Sequence, residues 1–443
     1  MTTPRTTTPA SETAPRLVVA DHVAGGVRVL DLPCGTTVAR LDGRYAGEHT
    51  GFLALPGGRT AFVDDRAGEL VVLDPYGPGA GRPLVRATAP VAIPAEQLAA
   101  DPTGRRIAVT TGLGRAERPW SDLLTAVDLA AEGGPRAVRV RTRAGEPGVT
   151  LVPPPSPVPT QTPAPAPAPA LEGADPGRDG DLWAVVRHRE PGELRAYRWA
   201  ELMAAAPACP VVPPHRKVPL ADDDGHGDAY DAVSGRLFAA SGSGVHRARR
   251  THDGLAVEPP LPWGGEGRGY ALRLDPVRRL LWSCVRGGPP EPGRWPQWSN
   301  SAWWYGLESG RTGRVPLGPG LVFRFAVAAR RLAFARVHPD GDELVLVDPV
   351  LGRVTARVPL PPMAGAPRRG GTPWDGVQRR AVAASPGHDL IAVSRGGHGE
   401  IHLIDSVAGL MTGTLTVPTP LDEGGRLALV LPGDGAELDT GGR

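Results

Sequence analysis

The sequence predicts an all-β fold, a β-propeller of eight blades closed by a C-terminal strand that joins the N-terminal blade. Three observations predict it. First, Arg379 to Val417 reads as four short apolar runs, AVAAS, DLIAVS, EIHLID and GTLTV, broken at Ser385-Pro386-Gly387, Gly396-Gly397 and Ala408-Gly409. Such runs are too short for stable helices, and Gly and Pro supply the angles that reverse a strand. Second, units of about forty residues with this pattern recur along the chain, which is the size of one four-stranded blade. Third, the first unit lacks an innermost strand while the C-terminus offers a strand with no partners. Joining the two leaves no open sheet edge.

Residues 1–15 are rich in Thr, Pro and Ala and are expected to form a disordered tail. The first unit supplies strands at Leu17–Asp21, Val27–Asp31 and Thr37–Leu41. The second runs from His49 to Asp74, with a weak strand near Pro83–Ala87. The third begins at Gln97 and turns tightly at Asp101-Pro102-Thr103-Gly104, where Pro presets one angle and Gly permits another. The fourth is interrupted over residues 153–176 by a Pro/Ala-rich tract that cannot pair in a sheet and reads as an extended excursion. It resumes with DLWAVVRHR and ELRAYRW, then ELMAAA as one helical turn before VVPPHRKVPL. The fifth unit is GHGDAYDAVSGRLFAASGSGVHRARR, and the sixth, GYALRLDPVRRLLWSCVRGG, carries a Trp-rich insertion. The seventh starts at Phe323, and the eighth is Arg379–Val417. The remaining strand, Leu427–Leu431, should lie beside Leu17–Asp21. One propeller domain is therefore expected over residues 16–434, with 435–443 as a flexible tail. Seven blades is the alternative count if the second or fourth unit is misread.

Composition narrows the function classes. The net charge of +2 over 443 residues gives no reason to expect nucleic acid or an acidic membrane surface as a partner. Lys217 is the sole lysine, which leaves little room for Schiff-base chemistry. Cys34, Cys209 and Cys284 are scattered and form no CxxC pair, so neither a disulfide framework nor a cysteine zinc site is expected. The N-terminal residues have no apolar core of the signal-peptide kind, and no run of about eighteen apolar residues offers a membrane span. The expected location is cytoplasmic.

In a ring of blades the inner strands begin around one mouth of the central channel, the default ligand site. Aligning Gly58, Gly104 and Gly235 places His49, Ala95 and His226 at one level, together with Gly269, Arg379 and Gly425. Glu96, Tyr270, Arg380 and Arg426 follow one step along. His49 and His226 could ligate a metal or bond an anion, or serve as structural groups at a loop end. His226 and Asp228 sit in the acidic, Gly-containing loop Asp222–Asp228, which has hard oxygen ligands but lacks the spacing of a calcium site. Arg379, Arg380 and Arg426 could fork onto a carboxylate or phosphate, or pair with a neighbouring acid such as Glu96. Between Arg294 and Tyr305 fall four of the ten tryptophans. Trp295 and Trp298 occupy a Pro- and Ser-containing loop where no sheet position demands them. They suit stacking on a ligand or partner surface, or else a self-packed insertion over the channel end. On the binding reading, replacing them would leave folding intact and abolish partner capture.

The repeats resemble YVTN- and WD40-type propellers over most of residues 17–432, although the strict Gly-His and Trp-Asp dipeptides of WD40 repeats are absent. That resemblance implies fold rather than activity. The first unit and HGDAYDAVSGRLFAASGSGV, through Asp21-His22 and His226-Gly227, also resemble propeller-type zinc chaperones of bacterial importers. Zinc delivery is what this resemblance implies.

No nucleophile elbow, phosphate loop or HExxH motif is present, and Ser241–Gly244 reads as a hairpin turn. Propeller enzymes scatter their catalytic groups one per blade, so the catalytic question stays open. The expected function is a binding or interaction module that presents the Trp-rich loop and the charged mouth to a protein or small-molecule partner. Its ligand residues would be His49, His226, Asp228, Tyr270, Arg379, Arg380, Trp295 and Trp298. The alternative is a propeller enzyme or metal-binding protein with a His/Asp/Arg site at the channel. No organic cofactor is expected, and a divalent metal held by His49 and His226 is the one cofactor considered.

Overall fold

Each repeat unit forms a four-stranded antiparallel sheet, and eight such sheets follow one another around a ring. The computed structural model describes residues 14–112, 121–143, 145, 148–155, 182–189, 192–222, 226–251 and 254–433. Most of the expected tails and of the Pro/Ala excursion lies outside these residues.

The inner strands of blades one to eight are Arg426–Val430, Leu53–Leu55, Ala95–Ala100, Gly148–Val152, Asp228–Asp231, Arg268–Asp275, Leu321–Val327 and Val382–Ser385. Blade four is a complete sheet with Trp183–His188, Glu193–Arg198 and Arg216–Pro219, so the count is eight and not seven. Blade one is composite. Its inner strand, from the far end of the chain, pairs antiparallel with Arg16–Asp21, placing Leu17 opposite Leu429 and Val19 opposite Leu427. The Tyr76 hydroxyl of blade two lies 3.0 Å from the Val430 carbonyl and 2.9 Å from that of Ala14, tying both strands of the junction to the next blade.

Strand side chains alternate between faces, so each sheet offers apolar residues to both neighbours. Buried residues accordingly gather in layers between successive blades. Leu53, Val63 and Val72 of blade two pack on Leu98, Ile107 and Val109 of blade three. Ile401 and Leu403 of blade eight pack on Leu17 and Leu30 of blade one. Each such side chain contributes about 1.5–3 kcal/mol when fully buried. Because every layer needs two blades, the core belongs to the ring.

The turns explain the register. Asp21, Asp64, Asp348 and Asp405 each accept the backbone N–H groups two and three residues on, at 2.8–3.1 Å. The fifth residue of the turn needs positive φ, which glycine supplies at Gly25 (77°) and Gly352 (59°). Blade six puts Arg279 there at 55°, and its guanidinium reaches across to Asp231 of blade five (2.7 Å), which offsets the strain.

Two elements differ in position from the expectation. The outer strand of blade two is Val85–Pro90 rather than Pro83–Ala87, since Pro83 has no N–H to give the ladder. The helical turn is Trp199–Met203, begun earlier because Trp199 and Leu202 bury against blades three and four. Among the described residues no helix is long and apolar enough to cross a membrane.

Candidate functional site

All eight inner strands begin at one face, and a charged sector of that mouth lies where blades eight, one and two meet. Arg426 opens the inner strand of blade one. Its Nε donates to the Glu48 carbonyl at 3.0 Å, Nη2 donates to the same oxygen, and Nη1 donates to the Gly425 carbonyl at 2.8 Å. These partners are neutral, and among the described residues no carboxylate lies within ion-pair distance of the guanidinium. Burial pulls Arg426 down to about 10, partly countered by the Glu48 charge and reinforced by Arg379.

Arg379, on the approach to blade eight, donates through Nη1 to Glu48 Oε1 (3.2 Å) and through Nη2 to the Trp374 carbonyl (2.7 Å). Beside it runs a narrow crevice lined by Phe323, Arg324, Pro367, Pro373 and Gln378. His22 occupies the blade-one turn with its side chain only 7% exposed, and its Nε2 lies 3.4 Å from Glu423 Oε2. Its Nδ1 is buried with no hydrogen-bond partner among the described residues. Burial first, then the Arg426 charge, lowers His22 to about 4, so the imidazole is neutral at pH 7. On the blade-two side Asp65 accepts the Ala95 N–H at 3.0 Å, and burial raises its carboxyl to about 6, with Asp64 and Glu48 adding to the rise.

The opposite arc of the mouth is held by a buried ion pair. Arg187 of blade four meets Asp228 of blade five at 2.9 Å, both side chains almost wholly buried. Burial pushes the Asp228 carboxyl up while Arg187 draws it back. Arg187 and Gln97 both donate to the His226 carbonyl, at 3.0 and 3.2 Å. Gly148 makes room for the pair, because a Cβ there would sit 2.0 Å from Asp228 Oδ2.

Between the two arcs runs a stack of rings and guanidinium. His226 lies 5.0 Å from the Tyr270 ring. Arg286 covers both Tyr270 (4.6 Å) and Trp298 (4.2 Å) and donates to the Tyr270 hydroxyl at 2.7 Å. Trp298 stacks on Trp374 at 6.0 Å and 19°.

The residues singled out from the sequence therefore separate into groups. Arg379 and His49 belong to the charged sector, His49 lying 3.9 Å from the Glu48 carboxylate. His226 and Tyr270 stand on the ring stack. His49 precedes blade two and His226 precedes blade five, so the two histidines stand three blades apart around the ring. Asp228 is committed to Arg187. Arg380, expected to face a ligand, instead turns into the sheet. Its Nε donates to Asp342 at 2.8 Å and Nη1 to the Ser394 carbonyl, because the residue entering a strand points alternately to one face and the other.

For Trp295 and Trp298 the ligand-stacking reading gives way to the other one, a self-packed insertion. They are 0% and 4% exposed, packed with Leu321, Val337 and Met363, and their indole N–H groups donate to the carbonyls of Arg368 and Pro289. The insertion is self-packed, because a Trp on a short 3₁₀ turn buries its rings against the neighbouring linker at little expense in hydrogen bonds.

His22, Glu48, Glu423 and Asp65 were not singled out as ligand residues. The only signals for them were Asp21-His22 and the adjacency of Glu48 to His49. Asp222 of the acidic loop caps a hairpin, accepting the Ser241 hydroxyl at 2.7 Å and also that of Ser243. It borders an open depression of about 650 Å³ with Leu220, Gly242 and Arg268. Asp223, Asp224 and Gly225 lie outside the described residues.

No protein-family model matches the chain, and no curated protein matches it. Solved structures do. Apo AztD from Citrobacter koseri superposes with a TM-score of 0.60 at 13% identity, covering 95% of this chain and 99% of that one. A further crystal structure of Citrobacter koseri AztD gives 0.59 at 14%, covering 94% and 98%. The dihydro-heme d1 dehydrogenase NirN in complex with DHE gives 0.56 at 16%, covering 98% of this chain and 78% of that one. At such identities the likeness is one of fold, and the shared fold is the propeller.

Proposed function

We propose that this protein is a binding propeller whose mouth takes an anionic small molecule or an acidic peptide group over blades eight, one and two. The observation that carries the reading is Arg426, a buried guanidinium whose hydrogen bonds go to carbonyl oxygens and which, among the described residues, has no carboxylate within ion-pair distance. A buried charge without a counter-ion is unfavourable, and an anion at the mouth relieves it. Arg379 adds a second cation with a planar donor set. His22, held neutral, can offer a hydrogen bond without adding charge. The ring stack from His226 to Trp374 borders the site and gives it a rigid wall.

A divalent cation is the weaker reading. Propellers of the zinc-chaperone type, which the first unit resembles, motivate it, and His22 with Glu423 would be its first two donors. Among the described residues, however, no three His, Cys, Asp or Glu side chains converge as a metal centre requires. Arg379 and Arg426 also both act on His22 as positive charges. The residues present fit an anion better than a metal.

The test is calorimetric titration of the full chain with citrate at pH 7 and fixed ionic strength, alongside zinc chloride. Citrate binding that is lost in Arg379→Ala supports the reading. Zinc binding lost in His22→Ala, with no citrate binding, would replace it.

A further inference from the structure

We propose that the Glu48 side chain is a built-in occupant of the anion site, a carboxylate that the ligand must displace from Arg379. The inference rests on the reading of the mouth as an anion site. Two halves of Glu48 behave differently. Its main chain is fixed, since the carbonyl is gripped by Arg426 and the preceding Gly47 N–H donates to the Val63 carbonyl at 2.8 Å. Its side chain is 43% exposed and reaches Arg379 through one 3.2 Å bond, with His49 at 3.9 Å on the other oxygen. A bidentate, buried Arg–carboxylate pair would be hard to open. This one is single, half-exposed and screened by water, so it contributes little and can be exchanged.

The exchange has a chemical logic. Glu48 sits on Arg379 and Glu423 beside His22, so the resting mouth holds acids of its own, but among the described residues neither lies within ion-pair distance of Arg426. An incoming carboxylate that takes the Arg379 donors releases Glu48 to water by rotation about side-chain bonds alone, with no backbone movement. The site is thereby set against weak monoanions, which gain no more from Arg379 than Glu48 already does. It admits ligands with several carboxylates, which gain the second interaction toward Arg426 as well.

The experiment compares citrate affinity, by calorimetry, of the wild-type chain with Glu48→Gln, Glu423→Gln and Arg379→Ala. Glu48→Gln keeps the carbonyl that Arg426 grips, and its fold is checked by circular dichroism. Should it melt early, Glu48→Asp, too short to reach Nη1, replaces it. The expected result is citrate binding about three- to tenfold tighter in Glu48→Gln, and changed less than about twofold in Glu423→Gln, which removes the same charge without touching Arg379. Equal tightening in both variants means that only net charge matters, which overturns the displacement and leaves the anion site standing. Unchanged citrate binding in Arg379→Ala overturns the site itself. Absence of binding in every variant overturns both.

Discussion

Arg426 Nε lies 3.0 Å from the carbonyl oxygen of Glu48, a contact that spans 378 residues of sequence. The strand that closes the ring thus also shapes the loop that carries Glu48 and His49. Assembly of the mouth and closure of the propeller depend on the same residue.

Trp295 and Trp298 should report on stability. Trp298→Ala removes a ring packed between Arg286 and Trp374, and Trp295→Ala empties a fully buried position. Each is expected to lower the unfolding free energy by about 3–5 kcal/mol, as measured by urea denaturation. A wild-type urea midpoint in either variant would contradict the buried placement.

Asp65 predicts a pH signature. Its carboxyl is raised to about 6 from 3.8 in the unfolded chain, so folding favours the protonated form. That contribution is present in full below pH 3.8 and is lost as the pH rises through 6. Asp65→Asn cannot ionise and keeps an oxygen for the Ala95 N–H. It should be more stable than wild type at pH 8 by about 1–3 kcal/mol, with the advantage gone at pH 4. Equal advantages at both pH values would refute the assignment.

His22 has the opposite slope. Its value is lowered from 6.5 to about 4, so the neutral form is favoured by folding. The associated stability is present above pH 6.5 and disappears as the pH falls through 4. Nuclear magnetic resonance should show the His22 imidazole unchanged between pH 8 and 5.5 and titrating near 4. Saturating citrate should move that titration upward, because an anion beside Arg426 offsets part of the positive field. Titration near 6.5 in the absence of ligand would mean that the ring is open to water.

The Arg187–Asp228 pair should be intolerant of single changes. Asp228→Asn removes the carboxylate from a buried ion pair, with an expected loss of about 3–5 kcal/mol. Gly148→Ala would drive a methyl against both partners, 2.0 Å from Asp228 Oδ2 and 2.6 Å from Arg187 Nη2. A combined Arg187→Met, Asp228→Leu variant should recover much of the lost stability, read by denaturant midpoint. A double variant no better than Asp228→Asn would argue that the pair also fixes the local backbone.

Much of the architecture was legible because it is written locally. The turn aspartates and glycines recur at fixed spacing, and a lone apolar strand at Leu427–Leu431 asks for a partner. The site was less legible because it is written in contacts between distant segments. Arg379 and Arg380 are neighbours of identical chemistry, yet it is Arg380 that turns inward, toward Asp342, 38 residues away, and the carbonyls of Ser394 and Pro361. Trp295 resembles a loop tryptophan until the Arg368 carbonyl, 73 residues on, is placed against its indole. Glu48 acquires meaning only when Arg379 and Arg426 arrive beside it.

The pairing of Leu17 with Leu429 has a consequence for biosynthesis. At translation speeds of about 5–20 residues per second, the amino-terminal sheet waits roughly 20–80 s for its last hydrogen-bonding partner to leave the ribosome. Throughout that interval the nascent chain carries an unsatisfied β edge at Arg16–Asp21, open to pairing with a neighbouring polypeptide or to shelter by a chaperone.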